Sequence, residues 1–425
     1  VGMNLGQTRG VFKKSALALA MASAMAMSGG AYAVGATVTT AASTAGSVST
    51  NTLTFAADPT AVVITDSENA VTISALHVSG TDDVAEAGDT AQTVTVTEAD
   101  SVADSAVVTA LGTIDANAGV TTVALVAKDT TAMTVTATGA TSAVGTIALL
   151  NGGSNVNLTS SHSALSTLTI GTVTTGDDGA GVLNITGGTH SLAVVATDIG
   201  ASGGSDDVGA INITGATTKP ASLTINGDAY VGTTTVAGVA AAPATLTVAG
   251  ASATLTGAVV LSGAAVATDA VLILGGASTI ATITGNIDTA SAKFGTVTIA
   301  GATTVDGDIL STGTTAINFA ADKVLTITAN NIIVDDITTT TTNTGTLTFA
   351  AATANTIAAA GAVGTSSALL KEVNIVATDG GGAANKASIT GNVFATTVNA
   401  TATATSSDEI EFGGTVNGTT EIGRA

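Results

Sequence analysis

The feature that most limits what this chain can fold into is a short phrase that keeps returning. Its clearest form runs from Gly295 to Ile309, GTVTIAGATTVDGDI: apolar residues alternate at Val297 and Ile299, a glycine turn follows at Gly301, and Asp306, Gly307 and Asp308 close a second short strand. The same grammar appears as Leu183-Asn-Ile-Thr-Gly, Ile211-Asn-Ile-Thr-Gly, Leu223-Thr-Ile-Asn-Gly, Leu246-Thr-Val-Ala-Gly and Leu272-Ile-Leu-Gly-Gly. The lead residues Leu223, Leu246, Leu272 and Val297 are 23, 26 and 25 positions apart. Alternation with period two marks strands, and a repeat of this length marks a stacked architecture in which each unit covers the apolar side of the next.

Composition decides which stacked architecture. The chain has 50 Gly, 2% aromatic residues and neither Trp nor Cys, so its interior must be built from Val, Ile, Leu, Ala and Thr. Such side chains suit a narrow pleated interior, whereas sandwich domains need a thick core and strand turns every 8 to 12 residues or so. Only three prolines occur in the chain, as expected where interior rungs need their N–H donors. The expected fold class is therefore all-β, a parallel β-helix or β-solenoid. Residues 166–425 form its repeat region, and the part from 181 onward would make roughly ten rungs, ~45 to 50 Å long.

Before that region the expectation is a β-rich cap over residues 34–165 containing a small α/β insertion near residues 90–140. Ala99, Val102, Ala103, Ala106, Val107, Ala110 and Leu111 fall at the spacing of one helix face, with Thr97 to cap its start and Gly112 its end. The alternative is that tertiary pairing overrides local preference and makes the segment all strand. A strand pair, Thr122 to Val126 and Met133 to Thr136, is expected across Lys128-Asp129. The string Leu53-Thr-Phe55-Ala-Ala returns as Ile317-Asn-Phe319-Ala-Ala and Leu347-Thr-Phe349-Ala-Ala, which suggests one shared packing environment.

Residues 1–33 have the form of a secretory signal. Arg9, Lys13 and Lys14 make a basic start, Ala16 to Met27 an apolar stretch, and Ala31-Tyr32-Ala33 a small-x-small cleavage site, so that the mature chain would begin at Val34. The opening Val1-Gly2-Met3 suggests a natural start at Met3. Removing that leader leaves 7 basic against 31 acidic residues, a net charge of about −24. Such a surface repels phosphate backbones and excludes a nucleic-acid binder.

The strings Asn343-Thr-Gly-Thr-Leu-Thr-Phe349, Ser366-Ser-Ala-Leu-Leu-Lys-Glu-Val-Asn-Ile375, Ile389-Thr-Gly-Asn-Val-Phe-Ala-Thr-Thr-Val398 and Phe412-Gly-Gly-Thr-Val-Asn-Gly418 resemble, in order, the repeats of rickettsial outer-membrane-protein-B-type surface antigens. The resemblance is best over residues 295–425. It implies an autotransporter passenger at the surface of a Gram-negative bacterium, a parallel β-helix that adheres to host cells or builds a surface layer, joined to the outer membrane by a C-terminal barrel. The strings after Ala400 lack the ~10-residue lipid-facing alternation of such a barrel, so the expectation is a fragment of a longer chain.

Residues that could carry chemistry are few. Oxygen-rich turns at Asp177-Asp178, Asp206-Asp207, Asp306 and Asp308, together with Asp82-Asp83 and Asp335-Asp336, are candidate calcium ligands. Solvated turns are the plainer reading of the same residues, and no cofactor is expected. Carboxylates on a β-helix also raise a polysaccharide-degrading enzyme, which needs two of them opposed across a groove. His77, His162 and His190 stand apart, and Ser160-Ser161-His162-Ser163 reads as a polar turn. Asn157, Asn184, Asn212, Asn399 and Asn417 meet the N-x-S/T pattern, but stacked asparagines also form side-chain amide ladders. The expected function is non-enzymatic: a secreted, surface-exposed adhesin or surface-layer protein whose partners are a host-cell or neighbouring surface protein, or copies of itself. A calcium-dependent surface-layer subunit is the alternative.

Overall fold

The computed structural model describes strands lying between residues 36 and 137 and most of residues 141–424, with side-chain surroundings from residue 134 onward. The expected leader and its cleavage site lie outside the described residues. Among the described residues there is no helix, and thirty-seven strands join one continuous sheet. Pairing between these strands is parallel throughout, and antiparallel geometry is confined to three isolated bridges such as Ala216 with Lys219. Parallel partners are hydrogen-bonded on both edges of a strand. The repeat is therefore a coil laid on the coil before it.

Register makes the stacking explicit. Leu223 pairs with Leu246, Leu246 with Leu272 and Leu272 with Val297. The column continues backward through Val194 and Leu168, and forward through Ile317, Ile337, Val363, Val393 and Val416. We call the sheet surface containing it the first face. A second face carries the column Ile199, Ala229, Leu255, Ile283, Val305, Ile327, Phe349, Ile375, Ala400 and Ile422. From Ile199 to Ile422 this column makes nine steps of ~4.8 Å, about 43 Å, and it continues backward through Val173, Ile147 and Leu125. A third face carries Val156, Leu183, Ile211, Thr234, Val259, Ile287, Ile309, Ile332, Ile357, Ile389 and Phe412.

Alternation turns the described side chains of these columns inward, except Ile422 on the last coil, which is 81% exposed. Ala221–Ile225, Ala244–Val248 and Ala270–Leu274 each bury every second residue, and members such as Leu223, Leu255 and Leu183 are fully buried in one apolar cluster. Each inward Leu or Ile contributes roughly 1.5–3 kcal/mol by leaving water. A core this narrow needs no large aromatic residue in most coils.

Corners absorb what the strands do not. Coil length, measured between second-face partners, ranges from 22 residues (Leu125 to Ile147) to 32 (Ile64 to Val96). Insertions therefore sit in corner loops while the register is kept. Pro220 and Pro243 stand immediately before strands, where their carbonyls accept from Leu192 and Ala221 N–H at 3.2 and 3.3 Å. Neither proline need donate to the ladder there. Gly257, at φ 96°, bends Ser252–Gly263 from the second face onto the third, and an added Cβ would meet Val231 O at 1.6 Å.

Three sequence expectations change. The helix drawn over Ala99 to Leu111 is not formed where it is described: Val108–Asp115 is a strand, paired in parallel with Val71–Val78 on one side and Met133–Ala137 on the other. Residues 99–107 lie outside the described residues. Hydrogen bonding on two edges outweighs the modest helix preference of an Ala-rich stretch. Thr121–Ala127 and Met133–Ala137 are both strands, but each pairs one coil away rather than with the other. Where it is described, the expected α/β insertion is thus strand like its surroundings. Finally, Phe319 and Phe349 pack on the first and second faces, so their shared string does not mark a shared environment.

Candidate functional site

Turn carboxylates and amides at the corners tie one coil to the next. Asp198 Oδ1 accepts the Asp228 N–H at 3.0 Å, and Asp228 Oδ1 accepts the Thr254 N–H at 3.0 Å. Further along, Asn286, Asp336 and Asn392 accept in the same way from Asp308, Ala362 and Thr415 N–H at 2.9, 2.8 and 2.9 Å. Asp306 Oδ1 accepts the Thr328 hydroxyl at 2.9 Å. A corner breaks the parallel ladder, and these oxygens satisfy N–H groups that the break leaves over.

The calcium candidates are not brought together. Asp206 and Asp207 follow the strand Leu192–Ile199, whose end reaches the second face, whereas Asp306 and Asp308 flank a corner four coils further on. Four steps of ~4.8 Å separate them by about 19 Å, far beyond the span of one ion's ligands. Asp177, Asp178, Asp82, Asp83 and Asp335 lie outside the described residues. No group of three or more His, Cys, Asp or Glu side chains able to hold a metal occurs among the described residues.

Histidines close turns as well. In Ser160-Ser161-His162-Ser163 the Ser160 hydroxyl donates to Ser166 Oγ at 2.8 Å and accepts the His162 backbone N–H at 3.2 Å. The His162 ring turns the other way, its Nδ1 accepting the Ala164 N–H at 3.4 Å. Ser160 and the imidazole therefore do not form a nucleophile and base. His190 Nδ1 meets the Thr189 hydroxyl at 3.1 Å, and His77 lies in the strand Val71–Val78.

Asparagines form the ladders that alternation suggested. On the third face Asn184 Nδ2 donates to Asn157 Oδ1 at 2.8 Å and Asn155 Oδ1 at 2.7 Å, and Asn212 Nδ2 donates to Asn184 Oδ1 at 2.8 Å. On the second face Asn399 Nδ2 donates to Asn374 Oδ1 at 2.8 Å and Glu372 Oε1 at 2.6 Å. Asn374 and Glu372 were not singled out from sequence. The signal available was an asparagine at the same strand position as Asn399, 25 residues earlier.

One outward surface follows. On the second face Thr254, Thr282, Thr304, Thr326 and Thr348 stand in register on consecutive coils. The line then continues as Asn374, Asn399 and Glu421, where a shallow depression of ≈ 550 Å³ is lined by Thr348, Asn374, Asn399, Thr401 and Glu421 together with the apolar Val376 and Ile422. It presents hydroxyl, amide and carboxylate groups at coil spacing, a surface for hydrogen-bonded contact. Comparison with protein-family models, with curated proteins and with solved structures returned no match.

Proposed function

We propose that this chain is a passenger-type rod of a Gram-negative cell surface, acting as an adhesin or as a structural unit of a surface layer. The observation that carries the reading is the continuous parallel stack, which uses its polar corner groups and amide ladders to hold coil to coil and leaves three extended faces for contact with other molecules. Supporting it are the leader-like residues 1–33, the acidic composition and the resemblance of residues 295–425 to surface-antigen repeats. Adhesion would use side chains spread over several coils, since a repetitive surface offers many weak contacts rather than one pocket.

Surface biotinylation of intact cells expressing the chain, followed by N-terminal sequencing of the labelled species, tests the location. The expected result is a labelled chain beginning at Val34. An unlabelled chain retaining residues 1–33 would reject it. Beads coated with the purified chain should bind host-cell monolayers equally with and without chelator. Binding abolished by chelator would favour the calcium-dependent alternative.

A further inference from the structure

We propose that the depression on the second face binds a guanidinium or ammonium group carried on an aliphatic stem, held between Asn399 Oδ1 and the Glu421 carboxylate. A regularity of the stack points there. Asn157, Asn184, Asn318 and Asn374 each accept, at Oδ1, a hydrogen from the residue paired with them one coil later: Asn184, Asn212, Thr338 and Asn399, at 2.8, 2.8, 3.3 and 2.8 Å. Where the third-face ladder stops, Asn212 is paired with Thr235, whose hydroxyl is able to donate.

Asn399 is the exception. Its Nδ2 gives both hydrogens to the coil before, to Asn374 Oδ1 at 2.8 Å and Glu372 Oε1 at 2.6 Å, which leaves Oδ1 for the coil that follows. The residue paired with it there is Glu421, and an ionised carboxylate only accepts. Two acceptors therefore meet across one coil step of ~4.8 Å, and among the described residues no donor reaches Asn399 Oδ1 or Glu421. Carboxylates elsewhere are already served: Asp198, Asp228, Asp306 and Asp336 each accept from the coil after their own. A ligand that brings N–H groups supplies what this one step lacks.

The lining of the depression narrows the chemistry of that ligand. One acceptor carries a full charge, so a cationic donor makes a charge-assisted bond where a neutral hydroxyl only replaces water. A metal ion is not favoured, because calcium takes about six to eight oxygens and no group of three or more His, Cys, Asp or Glu able to hold a metal occurs among the described residues. Val376 and Ile422 put aliphatic carbon beside the oxygens, which suits the methylenes that lysine, arginine and polyamines carry behind their charge. The ≈ 550 Å³ of space admits head and stem together. Guanidinium fits best, because its planar fork donates to two acceptors at once, one N–H to Asn399 Oδ1 and one to Glu421. The excess of 31 acidic over 10 basic residues draws cations toward the rod.

This site goes beyond the surface-rod reading: it is tested on the purified full chain and stands or falls whether or not the chain is exported or adheres. Calorimetric titration at low ionic strength with agmatine, which carries a guanidinium and an ammonium on a butyl stem, should show one saturable site. Glu421→Asn places an amide donor against Asn399 Oδ1 and removes the charge. It should weaken agmatine by about tenfold or more and raise the thermal midpoint, as the ladder is completed. Glu411→Gln, the same loss of charge on the third-face strand of the same coil, should leave binding unchanged. Should Glu421→Asn fail to fold, as judged by circular dichroism, Thr401→Arg decides the question: its tethered guanidinium fills the depression and should block agmatine. A capped glycine–arginine–glycine peptide separates the sources of the cation. Tighter binding than agmatine supports an arginine of a partner protein, and weaker binding supports a free small cation. The proposal is overturned if agmatine shows no saturable site, if Glu411→Gln weakens it as much as Glu421→Asn, or if calcium at equal concentration displaces it.

Discussion

Ile317-Asn-Phe319-Ala-Ala and Leu347-Thr-Phe349-Ala-Ala are nearly one string, and they occupy two different faces. Phe319 sits in a first-face column between Ile299 and Thr339, and Phe349 in the second-face column between Ile327 and Ile375. Both rings are fully buried. The room for them is made differently. Phe349 stacks between aliphatic residues, while Phe319 lies against Gly345, where an added Cβ would come within 2.6 Å of the ring. A local string thus decides which side chains turn inward, but the number of residues in the intervening coil decides the face, and neighbours a coil away decide whether the side chain fits.

The largest effects should come from removing the two rings. Phe319→Ala and Phe349→Ala should each cost about 3–5 kcal/mol, because a narrow close-packed core cannot collapse around the cavity. Urea unfolding midpoints measure it. A clearly smaller loss at Phe319 than at Phe349 would show that the glycine-lined site relaxes, and would sharpen the contrast.

Gly345→Ala should cost roughly 1–3 kcal/mol, since φ of 82° disfavours any side chain and the new methyl meets Phe319. Adding Phe319→Leu should recover part of that loss, a coupling readable in a double-mutant cycle. Strictly additive losses would mean that the backbone angle alone makes this position glycine. Among the described glycines none meets Phe349 as Gly345 meets Phe319.

Smaller effects test polar groups against the aliphatic columns. Asn184→Ala, at the centre of the third-face ladder, should cost about 1 kcal/mol, because it removes the acceptor of Asn212 and the donor to Asn157. Thr234→Val should stabilise by up to about 1 kcal/mol, because the Thr234 hydroxyl is buried without a hydrogen-bond partner between Ile211 and Val259. Thermal melts of both variants suffice, and a destabilised Thr234→Val would break the view that this column is purely aliphatic in character.

The smallest effect belongs to the surface pair Lys371 Nζ–Asp322 Oδ2, 2.8 Å apart and about half exposed. The hydrogen bond from Lys371 holds the Asp322 carboxyl below its ordinary 3.8, and the same bond holds the Lys371 ammonium above 10.5. The Asp322 contribution is therefore present above pH 3.8 and lost as pH falls from there through the lowered folded value. The Lys371 contribution is present below 10.5 and lost as pH rises through its raised value. NMR titration should register both directions, and added salt should shrink them.

The acidic turns show where sequence reasoning stopped. Asp206 and Asp306 have the residue types of a calcium site, but an ion site needs ligands from several turns at once. Only the coil count between them shows that they are about 19 Å apart. Asparagine ladders were half legible: Asn157, Asn184 and Asn212 stood at equivalent repeat positions, while Asn374 and Glu372 stood outside any noticed pattern. Val108 to Leu111 departs from the helix expectation because small residues satisfy helix and strand spacings alike, and nothing within the segment says that it has parallel neighbours on both edges.

Alternation and spacing in the amino-acid sequence were enough to determine the β-solenoid, its coil length and the inward column Leu223, Leu246, Leu272 and Val297. Those properties depend on period alone, and period is written in one dimension. Tertiary structure alone decided that residues 108–115 are strand, which face each phenylalanine occupies, and which residue stands one coil beyond each outward asparagine. These depend on how many residues each corner absorbs, and so on contacts between residues 20 to 38 positions apart.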